Sequence, residues 1–142
     1  MGLRPRLVVE WGPGPNTQMA LAVGAEVFSI EHDTQWLPKD SSPKLVVLLA
    51  PKDGDRYFFF PAEADLYFID GRNRARCLEL VYERARADAV VCLHDAQRQA
   101  YRQMLLRFPY VFEPSLGFAI ATRAETLAAH LAELFGTSLQ PA

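Results

Sequence analysis

The sequence predicts one α/β domain over residues 1–142, with a mainly parallel sheet that ends in an antiparallel hairpin. Three observations carry that expectation. Short β-rich runs alternate with helical windows, which is the pattern of βαβ units. The run Leu45 to Leu49 is unbroken Leu-Val-Val-Leu-Leu, as expected of a strand covered on both faces. The last two β-rich runs are separated only by Glu113-Pro114-Ser115-Leu116, too short for a crossover helix.

Taken in order, Arg6 to Glu10 reads as the first strand and runs into a Gly/Pro loop. Asn16 to Val23 follows as a short helix, with Asn16 or Thr17 as its N-cap. Glu26 to Glu31 is the second strand and Lys44 to Ala50 the third. The stretch Pro51 to Ala64 holds a turn signal, Asp53-Gly54-Asp55, and an aromatic run, Tyr57 to Phe60. A full helix hardly fits there, so an abbreviated connection is expected. Asp65 to Asp70 is the fourth strand. Arg72 to Ala87 is the clearest helix, with Cys77, Leu78, Leu80, Val81 and Ala85 on one stripe and arginines opposite. Ala89 to Leu93, a helix over Gln97 to Arg107, and strands over Phe108 to Phe112 and Gly117 to Thr122 come next. Ala124 to Phe135 closes the chain as an amphipathic helix stopped by Gly136.

Fifteen basic residues are scattered among seventeen acidic ones, for a net charge of -2, so no general field for polyanions exists and nonspecific nucleic-acid binding is disfavoured. Cys77 and Cys92 have neither C-x-x-C spacing nor histidines at ligand intervals, and read as reduced packing residues. The longest apolar run, Leu45 to Ala50, is far short of a membrane span, and no secretory leader pattern is present. A cytoplasmic protein without membrane contact is the expectation.

Function is concentrated in the loop after the first strand, Glu10-Trp11-Gly12-Pro13-Gly14-Pro15-Asn16-Thr17. A strand ending in an acid, then Gly-x-Gly, then a helix, lets backbone approach a ligand closely. On the two glycines alone, a tight structural turn explains it equally well. Glu31 alters the balance, because an acid at the end of the second strand, about twenty residues on, can accept hydrogen bonds from both ribose hydroxyls. A nicotinamide dinucleotide fits less well, since Thr17 stands where G-x-G-x-x-G needs its third glycine.

These segments resemble the class I S-adenosylmethionine-dependent methyltransferases, in a minimal version. Glu10 to Thr17 is similar to their first motif in its Glu-Trp-Gly-x-Gly variety, and Ser29-Ile30-Glu31-His32-Asp33 with Trp36 to that subgroup's second-strand motif. Phe68-Ile69-Asp70-Gly71-Arg72 with Arg76-Cys77, and His94-Asp95 with Arg98 and Tyr101, resemble the segments at the fourth and fifth strands. The resemblance implies a three-layer Rossmann-like methyltransferase fold, with S-adenosylmethionine over the carboxyl ends of the first, second and fourth strands. It implies Gly12 and Gly14 under the methionine part, with Asn16 and Thr17 completing the loop, Glu10 near the amino group, and Glu31 with His32 at the ribose. Pro13, Pro15 and Asn16 depart from the commonest pattern, and the prolines remove N–H donors.

Asp70, His94 and Asp95 are the candidates for chemistry, because strand ends about 5 Å apart bring their side chains together. Three readings stay open. Asp70 and Asp95 could share a divalent cation, although no metal ligand set is assigned. Asp70, which also borders the proposed cofactor, or His94 could act as a base. Both aspartates could simply cap the helices that follow. Trp36 reads either as cover for the adenine or as ordinary packing; Asp53 and Asp55 read first as a turn. Arg72, Arg74, Arg76 and Arg98 read most simply as a solvated face, and His130 has no functional claim.

Leu7 begins the first strand almost at the start of the sequence, and no long insertion precedes the hairpin. Either a large substrate supplies its own surface, or a second copy or partner subunit closes the site, or the domain no longer transfers a methyl group. The expected function is methyl transfer from S-adenosylmethionine to an unidentified oxygen or nitrogen nucleophile. The alternatives are a non-catalytic cofactor-binding or regulatory subunit and an enzyme that cleaves the cofactor.

Overall fold

The computed structural model describes residues 4–39 and 41–139. Among these, seven strands form one sheet: β1 (Leu7–Trp11), β2 (Glu26–Glu31), β3 (Leu45–Leu49), β4 (Leu66–Ile69), β5 (Val90–His94), β6 (Tyr110–Ser115) and β7 (Phe118–Thr122). Their order is β3-β2-β1-β4-β5-β7-β6. The pairs from β3 through β5 are parallel, and β7 runs antiparallel to both β5 and β6. Four helices, α1 (Pro15–Ala22), α2 (Arg74–Arg84), α3 (Gln99–Leu105) and α4 (Glu125–Phe135), accompany the sheet. None of the described helices is long and apolar enough to cross a membrane.

The register explains where a site can form. Trp11 pairs with Ile30 on one side and Ile69 on the other, so β1, β2 and β4 end at one level. The Gly12 amide continues the ladder to the Ile30 carbonyl at 3.0 Å, and the Asp70 amide to that of Trp11 at 2.9 Å. Beneath this edge lies the core, with Val9, Trp11, Tyr57, Tyr67 and Ile69 wholly buried. Helix α2 seals one face through Cys77, Leu78, Leu80 and Val81, the predicted stripe. Burying one such leucine contributes about 2 kcal/mol, so this stripe outweighs the weak intrinsic stability of an eleven-residue helix. Cys77 and Cys92 are free and buried.

Several expectations are corrected. β3 is not covered on both faces: it is an edge strand on which Val46, Val47 and Leu49 are exposed. Among the described residues, the chain segments flanking it supply only 3-10 turns, Thr34–Trp36 and Asp55–Phe58, and no helix. Helix α2 is shorter than Arg72 to Ala87, because Asn73 before it has a left-handed φ of 51° and Ala85 after it is extended. Helix α3 likewise spans less than Gln97 to Arg107, and β6 begins later than Phe108. Pro114 falls where the β6–β7 register shifts between Phe112 and Ser115, on the outer edge where a missing N–H costs little.

Candidate functional site

The loop after β1 is held from below by Glu10. This side chain is 1% exposed, and its Oε1 accepts hydrogen bonds from the Thr17 hydroxyl at 2.5 Å and the Ser29 hydroxyl at 2.8 Å. Burial pushes its pKa up, against the lowering effect of the two hydroxyls. Thr17 also accepts from the Gly14 amide at 3.2 Å. Neither Asn16 nor Thr17 is therefore the N-cap. Gly14 is, with Pro15 in the first turn, where its missing N–H is one the helix leaves unpaired anyway. Glu10 supports the loop, and its contacts are with protein hydroxyls.

The two glycines differ in kind. Gly12 has a φ of +85°, and a Cβ there would lie 2.9 Å from the Asp70 carbonyl group, so it is required by the fold. Gly14 is extended, and a Cβ there would meet nothing within 4 Å. The loop is thus packed at Gly12 and open at Gly14.

At the end of β2, Glu31 Oε1 accepts from the amides of His32 at 2.7 Å and Asp33 at 2.9 Å, which fixes the carboxylate at the sheet edge. His32 Nδ1 lies 2.9 Å from the same oxygen but is buried without a hydrogen bond. Asp33 caps the 3-10 turn by accepting from the Gln35 amide. Trp36 is 66% exposed, so it is not a core residue. It lines a groove with Pro13, Gly14, Thr17, Leu37 and Lys39.

The third part of the edge joins β4 to β5. Asp70, His94 and Asp95 are brought together, and Arg74 joins them. Its guanidinium reaches Asp95 Oδ2 at 2.8 Å and Asp70 Oδ1 at 3.2 Å, and donates to the carbonyls of Gly71, Asp70 and His94. His94 Nδ1 lies 3.1 Å from Asp70 Oδ1 and 3.6 Å from Asp95 Oδ1. The capping reading fails, because the N-cap residues of α2 and α3 are Asn73 and Arg98. Arg74 is not part of a solvated face either, since its side chain is 14% exposed. A cation shared by Asp70 and Asp95 would have to displace it.

Three supports of this edge escape sequence reasoning. Ser29 stands in sequence only as part of a motif, yet it anchors Glu10. Arg74 looks in sequence like its helical neighbours, and no local signal separates it from them. Tyr57, one member of an aromatic run, is wholly buried and accepts from the Arg72 amide at 2.7 Å, while its carbonyl accepts from the Trp11 indole at 2.8 Å. Asp53 and Asp55 lie in the predicted turn region; Asp53 Oδ1 is 3.4 Å from the side-chain Nδ2 of Asn73. His130 is on the exposed side of α4.

No protein-family model matches the chain, and no curated protein does. Solved structures do. A methyltransferase-like protein from Silicibacter pomeroyi DSS-3 is similar at 17% identity, with 94% of this chain and 89% of that one covered and a TM-score of 0.64. Spermidine synthase from Thermotoga maritima is similar at 18% identity, over 96% of this chain and 61% of that one, with a TM-score of 0.62. A TehB-like S-adenosylmethionine-dependent methyltransferase from Corynebacterium glutamicum follows at 13% identity, 87% and 83% coverage and a TM-score of 0.58. At these identities the likeness shows the fold: the chain has the Rossmann-like methyltransferase fold, with its C-terminal antiparallel strands.

Proposed function

We propose that this chain binds S-adenosylmethionine over the ends of β1, β2 and β4 and transfers its methyl group to an oxygen or nitrogen nucleophile, as a member of the Glu-Trp-Gly-x-Gly subgroup. The observation that carries the reading is the contrast between the two loop glycines. Gly12 is explained by packing, whereas nothing in the protein fills the space at Gly14, which lines a groove with Trp36 just beyond the end of β2.

The residues present suit such a ligand. Glu31 is an anchored acceptor of the kind that takes a ribose diol, with the buried Nδ1 of His32 2.9 Å from the same oxygen. Gly12, Gly14, Asn16 and Thr17 would form the surface under the methionine part, with Glu10 fixing that surface from beneath. Trp36 would lie at the adenine end, and Asp70 at the reacting end. When bound, the cofactor supplies a methyl group made electrophilic by its sulfonium. The chain's own task is positioning, which can lower such a barrier by roughly 7–11 kcal/mol. The methyl acceptor, and any second copy or partner subunit that covers it, would approach over Asp70 and His94, whose side chains are 36% and 54% exposed.

A second reading, a cofactor-binding regulatory subunit without transfer, draws on Pro13 and Pro15, which leave the loop short of N–H donors. Incubation with cofactor labelled in its methyl group and a cell extract separates the two. A labelled acceptor supports transfer. Label that stays in the cofactor despite tight binding contradicts it.

A further inference from the structure

We infer that His94 is the base that receives the acceptor's proton, that Asp70 fixes its tautomer, and that Arg74 is the positioning residue for both; this rests on the methyl-transfer reading above. The geometry supplies the roles. His94 Nδ1 lies at ion-pair distance from Asp70 Oδ1, 3.1 Å, and because an ionised carboxylate only accepts, the proton of the neutral ring is assigned to Nδ1. The lone pair is then on Nε2, the ring nitrogen away from Asp70, on a side chain that is 54% exposed.

Arg74 makes this arrangement rigid. Its fork ties the carbonyls at the end of β4, Asp70 and Gly71, to the carbonyl of His94 on β5. It also shares Asp70 Oδ1 with His94, at 3.2 Å against 3.1 Å. Asp95, directly after His94, is left-handed at φ 57°, a conformation that Asp tolerates better than most residues. Its carboxylate is held by Arg74 at 2.8 Å and Arg98 at 3.3 Å. The two carboxylates beside His94 are therefore themselves balanced by two guanidiniums.

The chemistry closes in atoms and charge. As the acceptor's lone pair forms the new bond to the methyl carbon, the carbon–sulfur bond breaks and its electron pair remains on sulfur as a neutral thioether. The proton of the acceptor passes to Nε2, and the positive charge lost at sulfur reappears on an imidazolium facing Asp70, which stabilises it without taking the proton. Solvent removes that proton afterwards. The substrate class follows: a hydroxyl or neutral N–H group, and not a tertiary amine or thioether, which has no proton to give.

Long-range proton–nitrogen NMR of the imidazoles tests this without an acceptor, with His94→Gln used for assignment. The wild-type protein should show neutral His94 with its proton on Nδ1. Asp70→Ala should move the proton toward Nε2, and Arg74→Gln should give a mixture of both forms. A wild-type His94 protonated on Nε2 overturns the inference, whatever the variants do, and an Nδ1–H form unchanged by Arg74→Gln overturns the positioning role. Titration of S-adenosylmethionine into the same samples stands apart: absence of binding overturns the cofactor reading, while the tautomer still decides the His94–Asp70 pairing.

Discussion

Thr17 and Glu10 meet beneath the glycine loop through a 2.5 Å hydrogen bond, and the same threonine oxygen accepts from the Gly14 amide. One hydroxyl thus ties the end of β1 to the start of α1. Thr17→Val keeps the shape and removes the hydroxyl, leaving a buried carboxylate with one donor fewer and the Gly14 amide without its acceptor. The expected loss is about 1–3 kcal/mol in urea unfolding. No change would mean that water replaces the hydroxyl at no cost.

Glu10 also sets a pH dependence. Burial raises its pKa above the ordinary value, and the hydroxyls of Thr17 and Ser29 only partly offset this. The folded state then binds the proton more tightly than the unfolded one, so stability falls as pH rises from about 4.3, the ordinary glutamate value, through the raised folded value. Above that the loss is complete. Glu10→Gln keeps an acceptor oxygen and removes the titration. Its stability relative to wild type should increase across this window, by about 1.4 kcal/mol for each tenfold by which folding weakens the acid. A difference that stays constant with pH would contradict the assignment.

The glycines give a contrast that separates folding from binding. Gly12→Ala forces a Cβ to 2.9 Å from the Asp70 backbone at a φ of +85°, and Gly71→Ala places one 2.5 Å from the Tyr57 hydroxyl and 3.1 Å from Trp11. Each should cost about 2–4 kcal/mol in thermal or urea unfolding. Gly14→Ala meets nothing and should leave stability within about 0.5 kcal/mol. On the proposed function it should nevertheless weaken cofactor affinity about tenfold, because the added methyl occupies the ligand's side of the loop. Equal stability losses at Gly12 and Gly14 would contradict the contrast.

The succession of strands along the chain was legible because each β-rich run is short, bounded by turn residues and separated by a helical window or an abbreviated link; their order in the sheet came only from the resemblance. The hairpin was legible from the short separation of its strands, although β6 runs on through Ser115 and leaves only Leu116 and Gly117 between them instead of the expected four residues. Gly12 and Glu31, the backbone of the candidate site, were legible as strand-end residues; that their strands are parallel neighbours is what the structure adds. What stayed hidden depends on long-range contact. Apolar composition in β3 looks the same whether a helix covers it or solvent does. Tyr57 reaches Trp11 across 46 residues, and Arg74 reaches Asp95 across 21. The Asp-before-helix pattern suggested caps at Asp70 and Asp95, but left-handed Asn73 and extended Arg98 precede the helices instead.

The central claim is that the edge between Gly14 and Glu31 is a nucleoside site. Isothermal titration with S-adenosylmethionine and S-adenosylhomocysteine tests it most directly, on the wild-type protein and on Glu31→Ala. Both ligands should bind the wild type, and Glu31→Ala should bind at least about tenfold more weakly, a loss of about 1.4 kcal/mol. No binding by either ligand at high micromolar concentration, or an affinity unchanged by Glu31→Ala, would contradict it.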